Sequence, residues 1–190
     1  MGKLYSELVP PLREFIAAQQ VFFVATAPSG ASGHVNLSPK GLDSFRILGP
    51  TRVAYLDCVG SGAETLAHLR ENGRICVMFC AFAGAPKILR LQGLGRALEA
   101  PDPEFAELRG LFPSALPARS IVSIELSRIA DSCGYGVPLY ELRGERSQLG
   151  DWAERMGAEA LDAYQREKNA RSIDGLPALR WVARAGERAE

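Results

Sequence analysis

The sequence lacks an excess of charge of either sign. Its 22 Lys and Arg residues equal its 22 Asp and Glu residues, so the formal net charge is zero. A domain that binds nucleic acid is usually basic on one face, because positive charge attracts the phosphate backbone. The composition of the 190-residue chain therefore argues against nucleic acid as its main partner.

Long apolar runs are also lacking. No run reaches the roughly 18 residues that a membrane-spanning helix needs. The N-terminal segment MGKLYSELVPPLREFIAAQQ is amphipathic and contains acids, which is not typical of a signal or transit peptide. We therefore expect a cytoplasmic protein without a membrane partner. A chain of this length can build one substantial core, which predicts a single domain over residues 1–190.

Histidine and cysteine are too few and too scattered for most catalytic and metal sites. His34 and His68 are the only histidines, and no Gly-x-Ser-x-Gly motif accompanies them. The four cysteines do not have the spacing of a zinc ribbon or finger. We therefore predict neither a metal site nor a catalytic triad, and we expect free, buried thiols in a reducing compartment.

What the sequence does contain is a series of short strand patterns bounded by turn residues. Six segments are apolar or alternate in polarity, at residues 20–27, 34–41, 52–58, 74–82, 87–99 and 120–134. Helical spacing is confined to the ends and to two connections: residues 4–18, the segment after Ser61, the segment after Asp102, and 147–169. This order favours a mainly β (α+β) domain, a closed or partly closed six-stranded antiparallel barrel with peripheral helices.

Two of the strand segments carry information about their surroundings. The segment 34–41 places Val35 and Leu37 on one face, against Asn36 and Ser38 on the other. The segment 74–82 (RICVMFCAF) is apolar on both faces. Such a strand must be covered twice, once by a core and once by a helix or another subunit.

The segment GSGAETLAHLRENG (60–73) is a glycine loop that leads into a helix. It is not a dinucleotide fingerprint, because the third glycine of that motif is missing. Ser61 and Glu64 have the spacing of a capping box, and Gly73 has the position of a C′ glycine. The loop amides could still receive a phosphate, so a self-capped helix and a phosphate site both remain open.

A phosphate at this loop would need basic residues from elsewhere in the chain. Lys40, Lys87 and Arg90 are the candidates, although each is equally compatible with an exposed surface position. Asn36, Ser38 and Lys40 share one strand face at i, i+2, i+4 spacing. That arrangement suits an oxygen-rich ligand, and it also fits any half-exposed strand.

The succession of these elements resembles the pyridoxamine 5′-phosphate oxidase superfamily, the FMN-binding split β-barrels. The resemblance covers about residues 18–132 and is carried by FFVATAPSGASGHVNLSPKG, by RVAYLDCVGSGAETLAHLRENGRICVMF and by ILRLQGLGRALE. It implies a split barrel over about 18–132, with a C-terminal helix and tail over 147–190. It also implies a homodimer with FMN, or a deazaflavin (F₄₂₀) in its place, at the interface.

Carried over by position, the resemblance places the cofactor beside the second strand and the helix start. Lys40 matches the family lysine, whereas Ala63, Glu64 and Thr65 stand where the oxidases have a serine and two basic residues. The C-terminal Arg-x-His of the true oxidases is also missing, which argues against that activity. The cofactor-binding residues that we predict are Asn36, Ser38, Lys40, Ser61, Thr65 and Arg90.

Two functions are compatible with this pattern. The first is a divergent flavoprotein, an FMN-dependent oxidoreductase that acts on an unknown small substrate. The alternative is a non-catalytic protein that binds a flavin-, deazaflavin- or haem-like molecule on the same barrel. No residue of the sequence stands out as a general acid or base, and we assign no catalytic residue.

Overall fold

The structure is a computed structural model that describes residues 2–182. Eight strands and four helices follow one another along these residues. In chain order they are β1 (Leu4–Tyr5), α1 (Pro10–Ala17), β2 (Phe22–Thr26), β3 (Asn36–Lys40), β4 (Phe45–Ile47), β5 (Arg52–Cys58), α2 (Glu64–Glu71), β6 (Arg74–Cys80), β7 (Ile88–Leu98), α3 (Pro103–Arg109), β8 (Ala118–Ser132) and α4 (Gln148–Lys168).

The strands form one sheet that curls into a half-barrel. Its strand order is β3-β2-β6-β7-β8-β5-β4, with β1 added beside β8, and each of these pairings is antiparallel. The predicted mainly antiparallel split barrel with peripheral helices is confirmed. The strand number is higher than predicted because β1 and β4 were missed. They are two and three residues long, which is too short to display a polarity period.

An aromatic core fills the concave side of the sheet. Phe22 of β2 packs against Phe45 of β4, Tyr55 of β5 and Phe79 of β6, with ring centroids 5.2, 5.7 and 5.6 Å apart. Phe22 and Phe79 come from one half of the strand order, and Phe45 and Tyr55 come from the other. Their contacts therefore hold the two edges of the sheet towards each other.

The β2–β3 hairpin has the predicted polar and apolar faces, and its polar face points inwards. Asn36, Ser38 and Lys40 pair with the buried positions of β2 and share their side of the sheet. Val35 and Leu37 point outwards, with 73% and 65% of their surface exposed. The outer surface of this hairpin is thus apolar.

Strand β6 is covered on one face and partly covered on the other. Val77 and Phe79 are buried in the core, whereas Cys76 and Met78 on the outer face are half-buried. The neighbouring strand β7 shifts its register at Gly93, where a Cβ atom would lie 2.0 Å from the Glu125 carbonyl oxygen. A glycine in the middle of a strand is typical of such a bulge with close backbone approach.

The C-terminal tail forms a second small core on α2. Ala178 and Leu179 are buried against Leu66 and Ala67 of that helix. Up to residue 182 the tail turns through a bridge between Arg171 and Pro177 and then packs on the helix. The remainder of the predicted tail, residues 183–190, lies outside the described residues.

The long C-terminal helix is interrupted at Gly157, which has a φ of 72°. Trp152 and Tyr164 are twelve positions apart, and their rings lie 5.3 Å from each other. Twelve residues of straight helix would span about 18 Å, so the chain must turn between them. The prediction of one continuous helix over 147–169 is wrong on this point, because a positive φ breaks the helix.

Candidate functional site

The polar residues of β3 line a gap between the two edges of the half-barrel, and we call this the β3–β5 gap. Asn36 Nδ2 donates a hydrogen bond of 3.0 Å to Thr65 Oγ1 of α2. Lys40 Nζ lies 3.3 Å from Asp57 Oδ1 of β5. Ser38 lies between these two residues on the same face of β3. The fold therefore brings together four of the six predicted ligand residues.

Asp57 is the charged centre of this gap. Its side chain is fully buried, and Oδ2 accepts hydrogen bonds from Arg119 Nε at 2.9 Å and Nη2 at 2.7 Å. Burial opposes its ionisation, but the nearby charges of Arg119 and Lys40 and their hydrogen bonds outweigh that effect. The pKa of Asp57 therefore lies below its ordinary value of 3.8. The gap contains an ionised carboxylate shared by two cations.

Arg119 also fixes the loop that precedes α2. Its Nη1 donates to the carbonyl oxygens of Gly60 and Gly62, at 3.2 and 2.7 Å. From the other side, Asn169 Nδ2 donates to the Gly60 oxygen at 2.8 Å. Because a guanidinium has five N–H donors, these bonds and those to Asp57 leave Arg119 little capacity for a ligand.

The predicted capping box at the start of α2 is wrong. The helix begins at Glu64 after Ala63 as N-cap, and no side chain caps it. Ser61 lies two residues before this N-cap, in an exposed position of the loop. Glu64 Oε1 instead accepts the Ile173 N–H of the tail, at 3.3 Å. The Glu64 carboxylate is therefore bonded to the tail instead of capping the helix. The local sequence pattern could not reveal this contact. At the other end Gly73 has the φ of 72° expected of a C′ glycine.

Three buried polar atoms in this part of the barrel have no hydrogen-bond partner among the described residues: Ser38 Oγ, Tyr55 Oη and His68 Nε2. Burial, and then the Asp57 charge, raise the pKa of Tyr55 well above its ordinary value, and the Arg119 charge and the nearby Thr65 side chain only partly oppose them, so the hydroxyl is protonated. Buried polar groups are normally paired with protein, water or a ligand. This end of the barrel therefore has unused hydrogen-bonding capacity.

His68 is buried and neutral. Its Nδ1 is hydrogen-bonded to Thr26 Oγ1 at 2.9 Å, inside the barrel. Burial lowers the pKa of His68, and the carboxylates of Asp174, Glu64 and Glu71 only partly oppose that effect. The imidazole therefore acts as a fixed polar group of the interior rather than as a charge.

Arg90 does not reach the β3–β5 gap. It lies on β7 between Leu89 and Leu91, which are both buried in the core, so its own side chain is on the outer face of the sheet. There its Nη1 donates to Ser132 Oγ at 3.1 Å. Strand alternation separates Arg90 from the β3 residues by the thickness of the sheet.

A large cleft adjoins the C-terminal end of β3. Its volume is about 1080 Å³, and its wall includes Lys40, Gln20 and the stacked rings of Phe82 and Tyr140, whose centroids are 5.5 Å apart. Lys40 lies between this cleft and the β3–β5 gap. A ligand in the cleft could therefore reach the polar residues of the gap through Lys40.

The chain matches a known protein family. Residues 8–133 match the family model described as pyridoxamine 5′-phosphate oxidase. The chain belongs to the pyridoxamine 5′-phosphate oxidase family. It is also similar to the pyridoxamine 5′-phosphate oxidase family protein ustO of Aspergillus flavus, with 41% identity over 201 residues that cover 97% of this chain and 80% of the relative.

Solved structures of low sequence identity share the fold of this family member. HupZ of Group A Streptococcus aligns with a TM-score of 0.52 at 19% identity, over 66% of this chain and 99% of the other. A protein of Clostridium acetobutylicum related to general stress protein 26 aligns with a TM-score of 0.51 at 14% identity, over 66% of this chain and 88% of the other. At these identities the likeness shows the fold alone.

Sequence reasoning missed Asp57 and Arg119, which organise the gap in this oxidase-family chain. A signal for Asp57 was present, because it is the one acid within the apolar strand segment RVAYLDC. Arg119 directly precedes the apolar run SIVSI and resembles an ordinary strand end. Only the pairing of β5 with β8 shows that it faces Asp57.

The described part of the chain, residues 2–182, contains no group of three or more His, Cys, Asp or Glu side chains placed to hold a metal. None of its helices is long and apolar enough to span a bilayer. The four cysteines are unpaired, and Cys133 is exposed rather than buried as expected.

Proposed function

We propose that this chain binds a flavin, FMN in the first place, at the β3–β5 gap, and that it serves as a flavin-dependent oxidoreductase for a small substrate. One observation carries the proposal: two buried hydroxyl oxygens, Ser38 Oγ on β3 and Tyr55 Oη on β5, have no hydrogen-bond partner among the described residues, and Tyr55 Oη is close enough to Asp57 and Thr65 for both to affect its pKa. They fit a ligand rich in oxygen atoms, such as the ribityl phosphate of a flavin.

In this proposal, Lys40 and the β3 hydroxyl and amide groups hold the phosphate or ribityl chain. Lys40 keeps donors free beyond its bond to Asp57, because an ammonium group has three. Asn36 and Thr65 could exchange their mutual hydrogen bond for bonds to the ligand. Ser61 would act from the exposed loop, and Arg90 leaves the set of contacts because it lies on the other face of the sheet.

The same proposal includes a homodimer. Val35, Leu37 and Leu94 are exposed by 73%, 65% and 62%, and the first two lie on the outer face of the β2–β3 hairpin. Exposed apolar surface of this kind marks protein–protein contacts. A second copy of the chain bound there would also cover the outer face of β6, which is half-buried in the single chain.

The flavin, when bound, would supply the redox chemistry, and the chain would orient it and set the charge around it. His68 is buried and neutral, and burial raises the pKa of the Cys58 thiol to about 11. We therefore assign the protein a binding role towards the cofactor.

A second candidate function is a non-catalytic binding protein for a flavin, a deazaflavin (F₄₂₀) or a haem-like molecule. The state of the titratable groups at the gap favours it, because His68 is buried and neutral and Asp57 is held in ion pairs with Lys40 and Arg119. Reduction of the bound flavin separates the two candidates. An oxidoreductase should be bleached by NADH or NADPH without air and recover its absorbance when an acceptor is added, whereas a binding protein should respond only to dithionite.

The first experiment is the absorbance spectrum of the purified protein, followed by titration with FMN. We expect flavin bands that are released on denaturation, or quenching of FMN fluorescence when the cofactor is added. Lys40→Ala should weaken FMN binding by about 1–3 kcal/mol, the scale of a lost charge-assisted hydrogen bond. The matched control is Lys168→Ala, in the last turn of α4, which should leave the Kd unchanged.

Two results would contradict these statements separately. A colourless protein that neither binds FMN nor quenches its fluorescence would refute flavin binding. A Kd that is the same for Lys40→Ala and for the unmodified chain would refute the placement of the phosphate beside Lys40. The fold should survive the substitution, since Arg119 still pairs with Asp57.

A further inference from the structure

The large cleft at the C-terminal end of β3 has the character of a site for a small organic molecule. Its volume is about 1080 Å³. Much of its wall is apolar, and the larger apolar side chains are Val21, Leu42, Phe82, Tyr140, Leu142 and Leu149. Lys40 belongs to the wall and also reaches Asp57 in the β3–β5 gap. A molecule in the cleft would therefore lie beside the proposed flavin.

A pair of aromatic rings forms one part of the wall. Tyr140 stacks on Phe82 with ring centroids 5.5 Å apart and ring planes 25° from parallel. The Tyr140 N–H also donates to the Phe82 carbonyl oxygen at 2.9 Å, which fixes the pair. Tyr140 is nevertheless 65% exposed, so the ring face that is turned away from Phe82 is open. A planar aromatic ligand can add a third ring to this stack.

Two neighbouring carboxamides contribute polar atoms to the wall. Gln19 Nε2 donates to the Phe15 carbonyl oxygen at 2.9 Å, and Gln20 Nε2 donates to the Ala18 carbonyl oxygen at 2.8 Å. With its nitrogen used in this way, each carboxamide offers its Oε1 oxygen, which can only accept a hydrogen bond. These oxygens suit a ligand that carries an O–H or N–H donor.

The charged side chains of the wall favour neither sign of ligand charge. Lys40 and Arg146 are positive, and Glu141 and Glu145 are negative. Lys40 is in addition already paired with Asp57. A carboxylate or an ammonium group on the ligand would lose its hydration and meet charges of its own sign as well as the opposite one. An uncharged ligand is the better match.

The backbone of the wall gives a separate indication of a ligand site. Leu42, in the turn that follows β3, has a φ of 61°. This left-handed conformation is rare for a bulky residue without a functional or structural constraint. Strained backbone of this kind is concentrated at ligand-binding and active sites. Leu42 lines the cleft, so the strain lies where the ligand would bind.

We propose that the cleft is the substrate site, and that the substrate is an uncharged, planar aromatic compound with an O–H or N–H donor, such as a phenol or an indole. Its ring stacks on Tyr140, and its donor bonds to the carboxamide oxygen of Gln19 or Gln20. This inference rests on the proposed function, because a substrate in the cleft needs the flavin beside Lys40.

The first test titrates the full chain, free of flavin, with indole in a calorimeter. N-methylindole, which has lost the donor, should bind about two- to tenfold more weakly, the scale of one neutral hydrogen bond. An indole carboxylate, which keeps the donor and adds a charge, should also bind more weakly than indole. No binding of indole, or equal Kd values for indole and N-methylindole, would overturn the inference. Indole binding that weakens as the protein concentration rises would assign the cleft to a second copy of the chain and would overturn it as well.

Substitutions at Tyr140 test the stacking contact. Tyr140→Ala should weaken indole binding about two- to tenfold, the scale of one aromatic pair, whereas Tyr140→Phe keeps the ring and should bind indole as the unmodified chain does. Tyr135→Ala is the matched control, because Tyr135 is 83% exposed on the same segment and does not line the cleft. Equal losses in Tyr140→Ala and Tyr135→Ala would overturn the inference.

The carboxamides are tested together, since either one can accept the donor. A variant with both Gln19→Leu and Gln20→Leu should bind indole and N-methylindole with the same Kd. Both side chains bond only to main-chain oxygens near the end of α1, and thermal unfolding checks that the variant is folded. A folded variant that still prefers indole would refute this part of the inference.

A last measurement separates the substrate site from flavin binding. When FMN is bound, indole should shift the flavin absorbance bands, because its ring lies beside the cofactor. If FMN and indole both bind and the flavin spectrum does not change, the cleft is not the substrate site, although flavin binding stands. If FMN does not bind, the proposed function fails and the assignment of a substrate fails with it, whereas the titrations of the flavin-free chain still decide the ligand class of the cleft.

Discussion

The interior of this half-barrel has two regions built from opposite chemistry. Around Phe22 and Phe79 the interior is an aromatic core whose rings contact each other directly. Around Asp57 and Lys40 the same interior holds ions and partnerless hydroxyl groups. The first region can stabilise the fold without help, because apolar burial needs no partner atom. In the second region each polar atom needs a partner. The hydroxyl oxygens that have none can take a hydrogen-bond partner from a ligand, which suits this region to binding one.

The largest effect should come from opening the aromatic core. Phe79→Ala removes a side chain that is 1% exposed and contacts the rings of Phe22 and Phe45. We expect the free energy of unfolding to fall by about 3–5 kcal/mol, measured by urea denaturation. Phe82→Ala, outside this core, should cost clearly less. Equal losses in the free energy of unfolding for the two variants would show that the contacts among the core rings contribute no more to stability than Phe82 does.

The next effect should come from the charged region. Asp57→Asn leaves Arg119 buried without a full counter-charge, and we expect a loss of about 1–3 kcal/mol at neutral pH. The pKa of Asp57 is lowered in the folded state, so its ionisation stabilises the protein above pH 3.8, the ordinary value, and that contribution is lost as the pH falls through the folded-state pKa.

Unfolding of both proteins between pH 7 and pH 3 checks this sign. The difference between the unmodified chain and Asp57→Asn should stay constant from pH 7 to about pH 5 and shrink in more acidic solution. A difference that grows towards low pH would contradict an ionised Asp57 in the folded protein.

Tyr55→Phe distinguishes the two regions within one residue, because the ring belongs to the aromatic core and the hydroxyl to the gap. A buried hydroxyl without a partner costs about 1–3 kcal/mol. The ligand-free variant should therefore be as stable as the unmodified chain or more stable. Flavin binding should weaken at the same time. A large loss of stability in the absence of ligand would mean that the hydroxyl is bonded within the protein.

The smallest effect is expected at Ser61. The residue is exposed and does not cap α2, so Ser61→Ala should change the free energy of unfolding by less than about 0.5 kcal/mol. A working capping residue would cost about 1 kcal/mol when replaced by alanine. Urea denaturation at that precision separates the two cases.

The fold was largely predictable because its signals are local. Strand β5 was predicted at its observed bounds, and the helix predicted after Asp102 begins at Pro103. Two kinds of prediction failed. Segments too short to show a polarity period, such as the three-residue β4, were not predicted as strands. Elsewhere a predicted local contact was replaced by a contact with a residue distant in sequence. Glu64 has the correct spacing for a capping box, but the tail offers it the Ile173 N–H instead.

The candidate site was predictable only as a set of residue types. The alternation of Asn36, Ser38 and Lys40 placed them on one face, but both faces of a strand alternate, so the pattern could not say which face is inside. The alternation around Arg90 was equally ambiguous about which face is inside, and its side chain lies on the outer face of the sheet. The partners of Lys40 were invisible as well, since Asp57 lies 17 positions away in sequence.

The sequence alone determined the antiparallel barrel, the polar and apolar faces of its strands and the helix that follows the glycine loop, because propensity, alternation and turn residues act over a few positions. The tertiary structure decided that the polar face of β3 is buried opposite Asp57 and that Arg119 holds the loop before α2. Those contacts depend on how the sheet curls. The ion pairs of the gap are therefore a property of the folded chain and not of any segment of it.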